Sequence, residues 1–110
     1  MPDMDADPIF SALANPVRRR VLELLVDGPR TAGQLAAEFE LSRPAVSEHL
    51  AILRRASLVR EQPEGRQRHY HLDAGPLAEV DQWLHPFERY WRDRLRSLSD
   101  VLDEEAEHDD

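Results

Sequence analysis

The feature that most limits how this chain can fold is one change of hydrophobic rhythm. Between residues 31 and 55 apolar side chains recur at helical spacing, interrupted once at Glu40-Leu41-Ser42. From residue 58 to residue 72 the pattern becomes two short strand-like runs around Pro63-Glu64-Gly65. Two short helices across a tight turn, then a β-hairpin, leave few ways to close a core.

Thr31 is placed to cap the first helix, and Gln34 three residues on completes a capping box. Leu35, Ala36 and Phe39 fall on one face, with Ala36 small where the helices cross and Val46 opposite it. Leu41 points inward from the turn, and Ser42 caps the second helix. Pro44 lies in that helix's first turn, where a missing N–H costs nothing. Glu40 stands where such turns often carry glycine.

The second helix, Arg43 to Arg55, puts Val46, Leu50 and Leu53 on one stripe. At about 100° per residue, Pro44, Ser47, Glu48, Ala51 and Arg55 lie opposite, flanked by Arg43. One face then packs on the domain while the other, small and polar, fits a DNA major groove. Alone, the pattern also describes an amphipathic helix with a solvated face; the preceding helix and the hairpin favour DNA reading. Leu58 to Gln62 reads as a strand, Pro63-Glu64-Gly65 as the turn, and Arg66 to Leu72 as the return strand. Arg66 and Arg68, two apart, are expected to share a strand face and to meet phosphates or a minor groove, the alternative being simple solubility. Tyr70 and Leu72 continue that parity toward the core.

The run LSRPAVSEHLAILRRASLV, followed by EGR and HYHL, resembles the ArsR-type family of winged helix-turn-helix repressors. ALANPVRRRVLELL is similar to that family's opening helices, so the resemblance spans about Ile9 to Leu72. It implies a homodimer that binds double-stranded DNA at an operator and represses transcription until a signal releases it. By position it implies DNA contacts at Arg43, Pro44, Ser47 and Glu48 of the second helix, and at Arg66 and Arg68 of the wing.

A formal charge of −8 over 110 residues runs against DNA binding until it is divided. Residues 16–70 hold ten arginines against seven acidic residues, whereas residues 71–110 hold four against twelve. Local charge governs phosphate binding, so the acidic ends do not argue against it. All fourteen basic residues are arginine, which suits planar two-point contacts to phosphate and guanine. Cysteine is absent, excluding disulfides and thiolate metal sites. With no signal peptide or membrane-length apolar run, the chain is expected in the cytoplasm, away from membranes.

Asp7-Pro8 opens a short helix with Ile9, Phe10 and Leu13 inward; Asn15-Pro16 opens the next, striped by Val17, Val21, Leu24 and Leu25 and stopped by Gly28-Pro29. Arg18, Arg19 and Arg20 crowd a first turn where the helix dipole disfavours cations. Arg18 is therefore expected at a DNA phosphate, the alternative being a solvated face paired with acids such as Glu23. Asp73 is read as the cap of a last helix, 74–102, with apolar residues at Leu77, Val80, Leu84, Phe87, Trp91, Leu95, Leu98 and Leu102. So small a domain cannot cover that stripe plus Trp83 and Tyr90. A dimer interface of Phe10, Leu13, Leu84, Phe87, Trp91, Leu95 and Leu98 is expected. Pro86 either kinks or breaks the helix.

Four other readings compete. Asp81 and His85, one turn apart, are the best metal pair, but no second histidine follows until His108; His69 and His71 read as a structural or solvated pair. A ligand pocket among Trp83, Phe87 and Trp91 reads better as core, and no pattern identifies a small-molecule effector. A winged helix serving protein contacts alone would be expected to lack the wing arginines. Enzymatic chemistry is not expected: Ser47 and His49 point apart on one helix, and no acid orients them. The expectation is a mostly α chain with a small β-hairpin, a winged helix-turn-helix (8–102) with a long C-terminal dimerisation helix. Acidic flexible ends flank it at 1–7 and 103–110, and neither metal nor cofactor is expected.

Overall fold

A computed structural model of the chain describes residues 7–108; the remaining acidic residues at both ends lie outside the described residues. The elements are α1 (Asp7–Leu13), α2 (Pro16–Val26), β1 (Arg30–Thr31), α3 (Ala32–Phe39), α4 (Arg43–Arg55), β2 (Val59–Glu64), β3 (Gln67–Leu72) and α5 (Leu77–His108). The chain forms two compact units, divided between Val80 and Asp81.

The first unit closes on a core of Ile9 and Ala12 from α1, Val21, Leu22, Leu24 and Leu25 from α2, and Leu35 and Ala36 from α3. Val46, Leu50 and Leu53 of α4 complete it with Ala56, Leu58, Val59 and Tyr70. Caps set where these helices begin. Asn15 Oδ1 accepts from the Val17 N–H at 2.8 Å and the Arg18 N–H at 3.3 Å. Thr31 and Gln34 form the capping box, each side chain accepting the other's backbone N–H at 3.1 and 2.9 Å. Ser42 Oγ accepts from the Ala45 N–H at 3.3 Å. Leu13, expected at a dimer interface, packs partly against this core, and Phe10 is half-buried.

The turn between α3 and α4 explains Glu40. It adopts left-handed backbone (φ 54°, ψ 33°), the conformation for which glycine is favoured. Left-handed strain costs a side-chain-bearing residue roughly 1–2 kcal/mol, and glycine's own entropy cost is about 0.5–1 kcal/mol. Glu40→Gly is therefore expected to stabilise the fold by about 0.5–1 kcal/mol. The urea midpoint should rise at constant slope; a lower midpoint refutes the assignment.

The sheet differs from the expected hairpin in two ways. A third strand exists: β1 pairs antiparallel with β3, Arg30 opposite Tyr70 and Thr31 opposite His69, giving the order β1-β3-β2. The hairpin is also tighter, because Pro63 and Glu64 belong to β2 and Glu64 pairs with Gln67. The loop is only Gly65-Arg66, with Gly65 at φ 64° in the position where such loops favour glycine. Pro63 is tolerated because β2 is an edge strand.

The last helix starts and stops later than expected. Asp73 Oδ1 accepts from the Gly75 N–H at 3.1 Å, making a local turn rather than a cap, and α5 begins at Leu77. It runs on across Pro86, so the break at His85-Pro86 does not occur. It also continues past Leu102 to His108, so residues 103–108 are helical and not a disordered tail. Glutamate and alanine are strong helix formers, and neither glycine nor proline follows Pro86. The second unit is this helix from Asp81 onward. Along it Trp83, Phe87, Tyr90, Trp91, Leu95, Leu98, Val101 and Leu102 are exposed. No described helix is long and apolar enough to cross a membrane.

Candidate nucleic-acid interface

Burying Val46, Leu50 and Leu53 turns the opposite side of α4 outward, so Arg43, Pro44, Ser47, Glu48 and Arg55 are exposed and Ala51 is half-buried. The face is small and polar, with an arginine at each end. Arg43 does not extend straight from the helix start. Its guanidinium lies over Gly33 in α3, where a side-chain carbon would meet Nη2 at 3.2 Å. The glycine supplies the room for that rest position.

The arginines of α2 have partners within the first unit, and Arg18, expected at a phosphate, is among them. Arg18 Nε donates to the Ala12 carbonyl at 2.7 Å and Nη2 to the Ser11 carbonyl at 3.1 Å. Arg19 Nη1 donates to the Leu13 carbonyl at 2.7 Å. Together they bind carbonyls in the last turn of α1, of which that of Ser11 also accepts from the Ala14 N–H at 3.2 Å. That use explains cations in the first turn of α2. Arg18 Nη1 also reaches His49 Nδ1 at 3.3 Å; guanidinium only donates, so the imidazole nitrogen accepts. Arg18 thus ties α1 to α4. Arg20 pairs with Glu23 at 3.1 Å, the solvated alternative.

In the wing, Arg66 sits in the two-residue loop and Arg68 on β3, so the two do not share a strand face as expected. Arg66 is exposed and makes no ion pair among the described residues. Arg68 Nη1 is 2.8 Å from Glu61 Oε1, and Arg54, in the last turn of α4, binds Glu61 Oε2. The Glu61 side chain is only 14% exposed, whereas those of Arg54 and Arg68 are 51% and 70% exposed. Opposite Glu61, Tyr70 is buried, and its phenol is pushed above the usual range by burial first and the Glu61 carboxylate second. His69 Nδ1 lies 3.0 Å from Glu64 Oε2, out of line for a good hydrogen bond. Neither the Glu61 pairs nor the Arg18 contacts have a local sequence signature; they join residues on different elements.

Asp81 and His85 are both exposed, and the nearest carboxylate to His85 Nδ1 is that of Glu88, at 3.6 Å. Among the described residues no group of three or more His, Cys, Asp or Glu side chains is arranged to hold a metal. Trp83 and Phe87 pack on each other, ring centres 5.1 Å apart, on the exposed stripe of α5.

A helix-turn-helix domain family matches residues 13–62. The chain is 39% identical over 101 residues to the HTH-type transcriptional regulator Rv2034 of Mycobacterium tuberculosis, covering 92% of each. It is 36% identical over 76 residues to the transcriptional repressor SdpR of Bacillus subtilis, covering 69% of this chain and 84% of the relative. The fold matches the crystal structure of an ArsR family transcriptional regulator, RHA00566, with a TM-score of 0.73 and 32% identity, over 84% of this chain and 95% of that one. These relatives are regulators and not enzymes. With the turn of Glu40, the polar face of α4 and the arginine-tipped wing in place, the chain belongs to the ArsR-type family of winged helix-turn-helix, DNA-binding transcriptional regulators.

Proposed function

We propose that the protein is a cytoplasmic homodimer that represses transcription by occupying an inverted-repeat operator, without a metal effector. The observation that carries the dimer is the apolar stripe of α5, where Trp83, Leu95 and Leu98 are each more than half exposed, at 56%, 64% and 54%. A contiguous stripe of this kind marks a protein interface. Two copies of α5 covering Leu84, Phe87, Trp91, Leu95 and Leu98 make a self-complementary contact about a two-fold axis. Each copy then reads one half-site with Arg43, Ser47 and Glu48, while Pro44 packs along the groove and Arg66 and Arg68 meet phosphates. Repression is supported by the likeness to SdpR, itself a repressor.

Selection of bound sequences from random duplex DNA tests this reading, with chelator in one arm and added zinc, cadmium or nickel in others. An inverted repeat with half-sites about one helical turn apart is expected. The motif and affinity should be the same in every arm. A single unrepeated half-site would overturn the dimeric operator. A metal-dependent change in affinity within the roughly 5–150-fold range of allosteric couplings would overturn metal independence and turn attention to Asp81 and His85.

A further inference from the structure

We propose that Arg54 and Arg68 form a DNA-phosphate site that Glu61 occupies in the free protein, so that Glu61 competes with the DNA backbone and holds down the protein's affinity and salt dependence. The inference rests on the DNA-binding reading of α4 and the wing, and adds Arg54 to the residues that touch DNA.

The geometry is that of one carboxylate shared between two guanidinium groups from the two DNA-facing elements. Glu61 gives Oε1 to Arg68 Nη1 at 2.8 Å and Oε2 to Arg54 Nη1. Carboxylate and phosphate present similar oxygen pairs to arginine, which binds both through its fork of donors. Here the carboxylate is largely covered while both arginines remain more than half exposed, at 51% and 70%. Both guanidinium groups are therefore open to solvent while still bound to the carboxylate.

The wing has supports other than Glu61. The hairpin is fixed by backbone pairing from Val59–Leu72 through Glu64–Gln67, and the buried Tyr70 anchors it to the core. What the carboxylate contributes is charge. With Glu61 ionised, an approaching phosphate meets a site of net charge +1 made from two cations and one anion. It must share both arginines with a like charge. Neutralising Glu61 leaves two cations for the same phosphate.

The test uses the full-length protein and Glu61→Gln, which keeps the side chain's shape and one acceptor oxygen. Fluorescence anisotropy measures affinity for the selected operator and for a random duplex across a salt series. Glu61→Gln should bind both duplexes several-fold more tightly at low salt. Its slope of log affinity against log salt should be steeper by about one per additional phosphate contact. Arg54→Ala in the wild-type background should make the slope shallower by about one. Equal or weaker binding by Glu61→Gln at an unchanged slope, with a wild-type urea midpoint, overturns the proposal and leaves Glu61 a structural ion pair. If Glu61→Gln loses its wild-type midpoint, Arg54→Ala decides: an unchanged slope overturns the proposal. If the wild-type protein itself binds no duplex, the DNA-binding reading has failed, an outcome distinct from either.

Discussion

Replacing Trp91 and Leu95 together by aspartate is expected to produce a monomer that no longer holds its operator. Both side chains lie on the exposed apolar stripe of α5 and neither belongs to the buried core of the first unit. The substitution therefore acts on association while the winged domain keeps its fold. Two carboxylates forced into an apolar contact cost several kcal/mol unless they neutralise or the contact opens. Opening is the cheaper route, because the helix can then expose both charges to water. Loss of the second copy removes the linked second half-site, and linkage of this kind is worth roughly 10²–10⁴ in apparent affinity. Sedimentation at micromolar concentration should show dimer for the wild type and monomer for the variant, with operator affinity lower by about that factor and an unchanged urea midpoint for the winged domain. A variant that still sediments as a dimer would move the interface elsewhere.

Arg43→Ala is expected to relax sequence preference at one base pair of each half-site. Arg43 stands at the start of α4, the end of a recognition helix that reaches the groove floor. A guanidinium there can donate two hydrogen bonds to guanine O6 and N7, a contact that discriminates by about 1–3 kcal/mol. In the free protein this guanidinium rests over Gly33, so reading a base requires it to swing outward. That motion involves only a long, exposed side chain. Ser47 and Glu48 follow one turn later on the same accessible side, Glu48 able to accept from a cytosine amine. The rival role is a phosphate clamp, with sequence read through DNA shape. Sequence selection with Arg43→Ala separates the two: an unaltered motif with uniformly weaker binding would make Arg43 a clamp.

Much of the first unit was legible because its signals are local. Thr31 with Gln34, Asn15 before Pro16, and Ser42 before Pro44 place helix starts within a few residues of the groups they cap. The stripe of Val46, Leu50 and Leu53 follows from helical period alone. Glu40 was visible as the odd residue of its turn, and the left-handed backbone is the reason. The helix after residue 102 was misread because acidic composition suggested a solvated tail, whereas helix propensity continues through it.

The sequence by itself determined the order of the helices and the wing, the inward faces and the concentration of arginine in the winged unit, since each depends on neighbours along the chain. Only the tertiary structure decided how the arginines divide. Arg18 and Arg19 are drawn to the carbonyl end of α1, Arg54 and Arg68 to one carboxylate on β2, and Arg66 is left at the wing's tip. The two-residue strand β1 was likewise invisible, because its pairing partners, Tyr70 and His69, lie far along the chain. The physical reason is common to both. Period and capping act over a turn or two of backbone, while a guanidinium takes whichever acceptor the fold brings within reach, and no spacing rule records that distance.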